Sequence, residues 1–578
     1  MRRSSVLATT AATILLGTVI AGCGNTAATS SSPKSPIGNV AVVALPAQVS
    51  PNWWFPVESS TAFSIYNSAV NYLMYVPLLH ISRTDSINYQ RSLAKSVTWN
   101  SSGTVYTITL HKKWKWSNGK PVTAQDVVFT TNLMLAASSG ASSLPWGYGG
   151  AGIGGIPARW QSVKADGSHT VVVTLKQSAN PQWFLHNGLG SIQPVPKSIW
   201  DVHKNINAEL NFIKNVSNSP ESSYYTVVDG PFKYDAAASR PNNQYWTFVP
   251  NSHYDGHKAS ISKLVYQYFT SSSAEFAALK TGKVNVGYLP TSLYQDKSQL
   301  VHDTFSAVYP FGFNYMVPNL APTAPGSFGQ IMSHRYARLA LEMGVDQAGI
   351  INSLYHGQGV VEFGPIPSTP RTVFYDPHLH NPAPFNPAAG RKLLEAHGWH
   401  LVNGVMTNAQ GVKFEFTYDY VSGSNGIKDE AALLKNDWAQ EGIIAHLVSQ
   451  PFNTLVANSA SSDPTKWQMI NWGGGWTYEP DYYPTGGGLF ATGSASNFGG
   501  YASKVMNQLI AKTYEPGTSA QLTRRYNAYQ AYAVQQLPVI WLPWLAGFNE
   551  TAKSIHGVNA TFNPILDLTS PNYWTITQ

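Results

Sequence analysis

Residues 93–135, LAKSVTWNSSGTVYTITLHKKWKWSNGKPVTAQDVVFTTNLML, constrain the fold more than any other part of the chain, because strand, turn and helix signals follow one another there without a gap. Residues 104–110 (TVYTITL) alternate β-branched or aromatic side chains with Thr, the period-2 pattern of a half-buried strand. Asn100, Ser101, Ser102 and Gly103 before them are turn formers, so residues 96–99 and 104–110 are expected to make a hairpin. Trp114 and Trp116 continue the alternation, with Lys113 and Lys115 on the other face, until Ser117, Asn118 and Gly119 end it. Thr123 then reads as a helix N-cap with Asp126 three residues on, and Val127, Val128, Leu133 and Met134 supply an apolar helical face.

In order and spacing this block resembles the signature of the family 5 extracellular solute-binding proteins of ABC importers, the oligopeptide- and dipeptide-binding group. The matching residues are Leu93-Ala94, Trp99, Gly103, the strand ending at Leu110, the basic-aromatic run 112–116, Gly119 and Ala124-Gln125-Asp126-Val127-Val128-Phe129, with His111 where the family usually has Arg. Further matches follow in order. Residues 227–232 (VVDGPF) resemble a Gly-Pro-aromatic element, 251–256 (NSHYDG) an Asn-x-x-Tyr segment, and 275–287 (EFAALKTGKVNVG) a helix, Gly stop and strand. Arg338 to Leu341 with Asp346 and Gly357, then Phe385-Asn386-Pro387 and the helix closed by Gly398, continue the series, and the likeness runs from about Asn39 to the C-terminus. Pro at the opening of a helix and Gly just past its end is the expected asymmetry.

Local patterns fill in the remaining elements. Residues 39–45 (NVAVVAL) read as a buried strand, 64–79 as a helix stopped near Pro77, 170–175 as a strand, 431–442 and 520–536 as helices, and 443–448 and 539–544 as strands. The resemblance implies an α/β architecture of the two-lobed periplasmic-binding-protein type II (clamshell) kind with an extra N-terminal subdomain. The expected division is lobe I over 38–80, 190–312 and 538–578, the extra subdomain over 81–189, and lobe II over 313–537. Chain crossings are expected near 311–315 and 539–544. At 578 residues the chain exceeds one ordinary core, in keeping with several domains.

The N-terminus carries an address. Arg2 and Arg3 precede an uncharged apolar run over 6–20, and Ile20-Ala21-Gly22-Cys23 fits a bacterial lipobox, so 1–22 reads as a lipoprotein signal peptide and 23–37 as a flexible tether. An apolar run of that length is short of the roughly 20 residues needed to span a bilayer. Cys23 is the single cysteine, so no disulfide framework exists and lipidation at Cys23 is its expected use. The expected location is the extracytoplasmic face of the cell membrane.

The net charge of +7 is spread thinly, with charged residues only 12% of the chain and no basic run, which argues against a nucleic-acid partner. Enzyme motifs occur only out of context. Ser92-x-x-Lys95 and Lys280-Thr281-Gly282 resemble the penicillin-binding pair, yet Ser92 leads into a hairpin and Lys280 ends a helix. Gly150, Gly152 and Gly155 spell a dinucleotide motif without its flanking strand and helix, given Pro145 and Pro157. No catalytic residue, metal or cofactor is expected.

The richest candidate site is 471–483, NWGGGWTYEPDYY. Its glycines allow close backbone approach, its rings offer flat apolar faces and its acids offer charge. Peptide-binding members of the resembled family usually place an Asp here against the ligand's ammonium group, a charge-assisted bond. This chain has Gly474-Gly475-Trp476 there, so either Glu479 or Asp481 takes the role or the ligand lacks an amine, as an oligosaccharide would. The expected ligand-binding set is Trp53, Trp54, Phe313, Asn314, Asn471, Trp472, Gly474, Gly475, Trp476, Tyr478, Glu479 and Asp481. Of the adjacent Trp53 and Trp54, at least one is expected to face a cleft or interface. The resemblance implies a monomeric, non-enzymatic receptor for oligopeptides or dipeptides that works with ABC permease subunits. An oligosaccharide receptor and a secreted hydrolase of cell-wall or glycan substrates are the alternatives.

Overall fold

The computed structural model describes residues 38–460 and 463–577. The expected signal peptide, tether and Cys23 lie outside the described residues.

Three sheets organise the described chain. The first has seven strands in the order Asp303–Val308, Gly547–Ala552, Val286–Tyr288, Val40–Ala44, Lys263–Gln267, Tyr245–Pro250 and Phe232–Tyr234. Its centre is parallel: Val40–Ala44 runs alongside Lys263–Gln267 in register from Val40↔Lys263 to Ala44↔Gln267, and Val43 pairs with Val286. A strand walled on both sides reads as an unbroken apolar run, which is what VAVVA is. A second, four-stranded antiparallel sheet is ordered Ala94–Trp99, Val105–Leu110, Thr170–Leu175 and Trp160–Ala165.

The third sheet gathers Ile444–Gln450, Glu415–Val421, Met469–Asn471, Gly312–Pro318 and Trp476–Thr477, with Ile540–Leu542 on the far side of Gly312–Pro318. Gly312–Pro318 is its hub and is buried at every position. One face packs under helices Phe328–Ser333, Arg335–Met343, Pro387–Glu395 and Asn425–Glu441, through a core that includes Met316, Leu341, Leu394, Phe416 and Trp438. Arg338 is buried here with no carboxylate in ion-pair reach among the described residues. Its guanidinium donates to the carbonyls of Met332, Ser333 (3.0 Å) and Gln536 (2.8 and 3.1 Å), the last turns of two helices. Those carbonyls have no partner within their helices and carry the negative end of the helix dipole, so they stand in for a counter-ion.

The 93–135 block folds as strand, turn and helix. The hairpin is Ala94–Trp99 against Val105–Leu110 and the helix is Ala124–Ala137. Asp126 Oδ2 accepts from Thr123 N (2.8 Å) and Thr123 Oγ1 (2.9 Å), while its Oδ1 accepts from Lys197 N (2.8 Å), so one carboxylate caps a helix and fastens a distant segment. Trp114 and Trp116 do not extend the strand. A single bridge, Lys115↔Pro121, replaces a ladder, and both indoles are buried, with Trp114 Nε1 donating to Ser92 O at 2.8 Å. Two other elements are shorter than their patterns suggest. The helix expected over 64–79 is Ile65–Met74, left at an extended Tyr75, where Val76 N is taken by Asp229 Oδ1 (3.0 Å). The strand expected over 539–544 is divided at Pro543 into Ile540–Leu542 and Trp544–Leu545.

The chain passes twice between the seven-stranded and hub sheets: through 309–311, and back through 543–546, where Trp544–Leu545 also pairs with Gly359–Val360. Residues 538–542 therefore stay with the hub sheet, and the seven-stranded sheet regains the chain only at Gly547.

Candidate functional site

Both crossings border a cavity of about 860 Å³. Val308 and Pro310 line it from the first crossing, and Trp544, Leu545 and Ala546 from the second. The seven-stranded sheet supplies Val43, Ala44, Tyr266 and Tyr288, the hub sheet supplies Asn314 and Thr477, and helix Ile65–Met74 supplies Tyr66, Ala69, Tyr72 and Leu73. A space of this size, walled by aromatic and aliphatic groups with a few polar ones, is of the kind that holds a small organic solute.

The glycine segment reaches the cavity through a defect in the hub sheet. Ile470 pairs with Val317 and Trp476 with Phe313, so the five residues 471–475 face the three residues 314–316. The surplus is thrown out as a bulge, which puts Gly473 and Gly474 on the cavity wall beside Asn314. Gly475 closes the bulge at φ +67°, with Phe313 O 2.1 Å from where a Cβ would stand, so only glycine fits there.

Asn314, Gly474 and, outside the expected set, Gly473 and Thr477 thus share the cavity wall, while most of the expected set does not. Trp53 donates from Nε1 to Val57 O (3.0 Å) and packs edge-on to Trp146 (5.2 Å), and Trp54 lies between Tyr234 and Phe248. Both are in the core, which corrects the expectation that one faces a cleft: they sit in a loop, where neighbours need not alternate faces. Phe313 is packed against Tyr315, Tyr478 and Trp541. Tyr478 donates to Pro365 O, and Trp476 is buried near Phe63. Asn471 accepts from Gly473 N, and Trp472 Nε1 donates to Gly475 O (2.8 Å), so both brace the bulge from within. Asp481 is buried and receives Asn187 Nδ2, a strap to another segment. Ser92, half of the enzyme-like pair, is spent on the backbone: its hydroxyl donates to Asn88 O (2.8 Å) and accepts from His80 N (2.8 Å).

Glu479 stands outside the cavity lining, in a cluster of acids. Ser68 Oγ lies 3.1 Å from Glu58 Oε1 and 2.9 Å from Glu479 Oε2. Glu58 also accepts from Ser64 N (3.2 Å) and Asn71 Nδ2 (3.3 Å), and Glu479 from Tyr482 OH (3.2 Å). A serine hydroxyl has one proton and can serve one carboxylate; the other acid must bring its own. Burial, and then the charge of Glu479, pushes Glu58 well above the ordinary carboxyl range, and burial pushes Glu479 up to about 7.

Pattern reading missed the charged groups that do line the cavity: Asp567, Arg83 and Arg91, with His80 held neutral, its pKa lowered to about 3 by burial and by Arg91. Burial and then Glu479 raise Asp567 to about 7. No short-range motif marks these residues, which come from the loop after the first helix and from the C-terminal segment.

Two α/β bodies joined by paired crossovers, with a solute-sized cavity at the crossings, define the two-lobed class of periplasmic binding proteins. The sequence profile described as "Bacterial extracellular solute-binding proteins, family 5 Middle" matches residues 88–495, and the chain belongs to that family. The oligopeptide-binding protein AppA of Bacillus subtilis (strain 168) is 22% identical over 517 residues, 86% of each chain. The structure of AppA from Bacillus subtilis in complex with a nonapeptide superposes with TM-score 0.80 at 19% identity, covering 93% of this chain and 99% of that one. DppA from Helicobacter pylori in complex with peptide STSA gives TM-score 0.74 at 17% identity, covering 93% and 98%. The family and these neighbours are transport solute-binding proteins rather than enzymes. Among the described residues no helix is long and apolar enough to cross a membrane.

Proposed function

We propose that this protein is the receptor of an ABC importer, which captures short peptides in the cavity at the crossings and delivers them to the permease. The reading rests on one observation above all: the cavity is walled by both α/β bodies and bordered by both connections between them. A solute that touches both walls stabilises the closed arrangement over the open one, and that population shift is the signal a permease can read. The seven-stranded body with the four-stranded subdomain acts as one jaw, the body around the hub sheet as the other, and 309–311 and 543–546 as the hinge. The receptor works as a monomer held to the extracytoplasmic face through lipid on Cys23. The peptide-binding relatives support a peptide ligand, and open glycine backbone at Gly473 and Gly474 suits a ligand that is itself mostly backbone.

Native mass spectrometry of protein purified without unfolding tests the reading. Retained peptides, exchangeable and uncleaved, are the expected result. Retention of glycan alone, or turnover of the bound molecule, would overturn it.

A further inference from the structure

Beside the cavity, two carboxylates face each other across the line where the jaws meet. Residues 478–499 travel with the hub-sheet body: Tyr478 donates to Pro365 O, Tyr483 packs edge-on against Phe374 (4.5 Å), Phe490 stacks on Phe313 (6.5 Å) and Leu320 N donates to Gly499 O (2.8 Å). Residues 58–72 and 180–187 precede the first crossing and belong to the other jaw. The two sets meet along a polar seam. Ser68 Oγ bonds Glu479 Oε2 (2.9 Å), Tyr72 OH bonds Tyr482 OH (2.9 Å), Asn187 Oδ1 accepts from Tyr483 N (2.7 Å) and Tyr514 O accepts from Asn180 N (2.7 Å). Each of these bonds joins one jaw to the other, so parting the jaws breaks it.

The phenol and amide bonds of the seam do not titrate near neutral pH. Glu58 and Glu479 do, and a single hydroxyl oxygen, that of Ser68, separates them. Tyr482 spends its one proton on Glu479 Oε1 (3.2 Å), so Tyr72 is the donor between the two phenols, and Tyr72 also lines the cavity. A proton on Glu479 Oε2 would donate to Ser68 and free Ser68 to donate to Glu58, giving a continuous run of hydrogen bonds from the cavity wall to the second acid. Without that proton two like charges share one hydroxyl out of water, which disfavours ionising both. The surroundings do not relieve the pair. Tyr72, Tyr148 and Tyr482 feel Glu479 as neutral phenols, and Asp567 of the C-terminal segment is a further acid that it pushes up. Neither Glu58 nor Glu479 lies within ion-pair distance of Lys, Arg or His among the described residues. His186 reaches the seam against Tyr483 (5.6 Å) and is paired with Asp85 on its own jaw (3.6 Å). Asp481 is buried as well, but Tyr478, Tyr514, Tyr526 and Tyr529, the rings that feel its charge, belong to its own jaw and keep it enclosed when the jaws part.

We propose that closure of the jaws takes up a proton at the Glu58–Glu479 pair, so that solute capture is tightest in mildly acidic surroundings and weakens as the pH rises. The proposal rests on the receptor reading above and adds the control of its closed state. When the jaws part, water reaches Glu479 and its carboxyl returns toward its ordinary value of 4.5; when they are shut, burial holds it at about 7. A carboxyl raised on closing favours the closed state fully below pH 4.5, loses that share between pH 4.5 and 7, and adds nothing further above. The phenol chain through Tyr72 ties the same pair to the cavity wall, where a solute makes its contacts.

Calorimetric titration tests this, with a synthetic tetra- and pentapeptide pool free of Asp, Glu, His and Cys, at pH 5, 6 and 7 and in two buffers of different ionisation enthalpy. The wild type is expected to bind about ten- to forty-fold tighter at pH 5 than at pH 7, and to take up about 0.5–1 proton per ligand at pH 6, read from the difference in heat between the buffers. Glu479→Gln, which carries the uncharged form at every pH, should lose more than half of the pH dependence and of the proton uptake. Asp567→Asn should keep more than half of both, whatever its absolute affinity, which separates the seam from the acid on the cavity wall. Equal binding by the wild type at pH 5 and pH 7, no proton uptake at pH 6, or a Glu479→Gln variant with the full wild-type slope would overturn the proposal and leave the peptide receptor standing. A pool that binds at no pH would remove the receptor reading and this proposal together.

Discussion

Replacing Glu479 with Gln should stabilise the protein at neutral pH and flatten the dependence of its stability on pH. In the wild type, Glu479 and Glu58 meet at one serine hydroxyl, and burial raises Glu479 from its ordinary value of 4.5 to about 7. A carboxyl whose pKa is higher in the folded chain than in the unfolded one holds a proton on folding. Its contribution is most favourable at and below pH 4.5, falls as the pH rises from 4.5 to 7, and is flat above. The fall amounts to about 3 kcal/mol, at about 1.4 kcal/mol for each tenfold change in proton affinity. The amide introduced by Glu479→Gln would mimic the protonated acid, donating to Ser68 Oγ while Ser68 donates to Glu58 and the new carbonyl accepts from Tyr482. With an unfolding entropy of about 2.1 cal/mol/K per residue over about 540 residues, a gain of about 3 kcal/mol lifts the Tm by about 3 °C. Thermal unfolding followed by circular dichroism at pH 5 and pH 8 measures it. The expected result is a Tm above wild type at pH 8, a smaller difference at pH 5, and a shallower slope between. A variant that melts below wild type at pH 8, or keeps the full wild-type slope, would refute the claim that a protonated carboxyl is held there.

Gly475→Ala should destabilise the hub sheet by about 1–3 kcal/mol, since the residue would be held at φ +67° with its methyl driven into Phe313 O, and urea unfolding would register the loss. It should also weaken the retention of peptide seen by native mass spectrometry, because the bulge presents Gly473 and Gly474. Arg338→Met should cost about 2–4 kcal/mol by stripping partners from buried carbonyls at the ends of two helices, and raising the pH from 6 to 9 should leave that cost unchanged because no carboxylate is involved. Asp126→Ala should cost about 2 kcal/mol, with faster amide exchange at Thr123 and Lys197, the two backbone donors it abandons.

The local grammar of the chain is legible without a structure. Residues 93–135 spell strand, turn and capped helix; Asn386-Pro387 and Gly398 bracket a helix; the apolar run at 40–44 marks a central strand. Each depends on neighbours a few residues away, where backbone preference and hydrophobic period suffice. These same residues carry the family likeness, and with it the two-lobed fold.

What lines the cavity was decided elsewhere. The segment 471–483 reads as a ligand site because its rings, glycines and acids lie together along the chain. In the folded protein Gly312–Pro318 pairs with Met469 and Ile470 on one side of the glycines and with Trp476 and Thr477 on the other, so Trp476 and Tyr478 are drawn into the core and only Gly473, Gly474 and Thr477 of this stretch are left at the wall. Trp53 and Trp54 look available in sequence and are consumed by Trp146, Tyr234 and Phe248, which arrive from segments far down the chain. Asp567 carries no local signal, being one acid in a C-terminal turn. Sequence by itself set the elements and the family, since those follow from short-range preference. Tertiary structure alone set which charges line the cavity, because a cavity wall is made where remote segments converge and every side chain there competes with the core for its place.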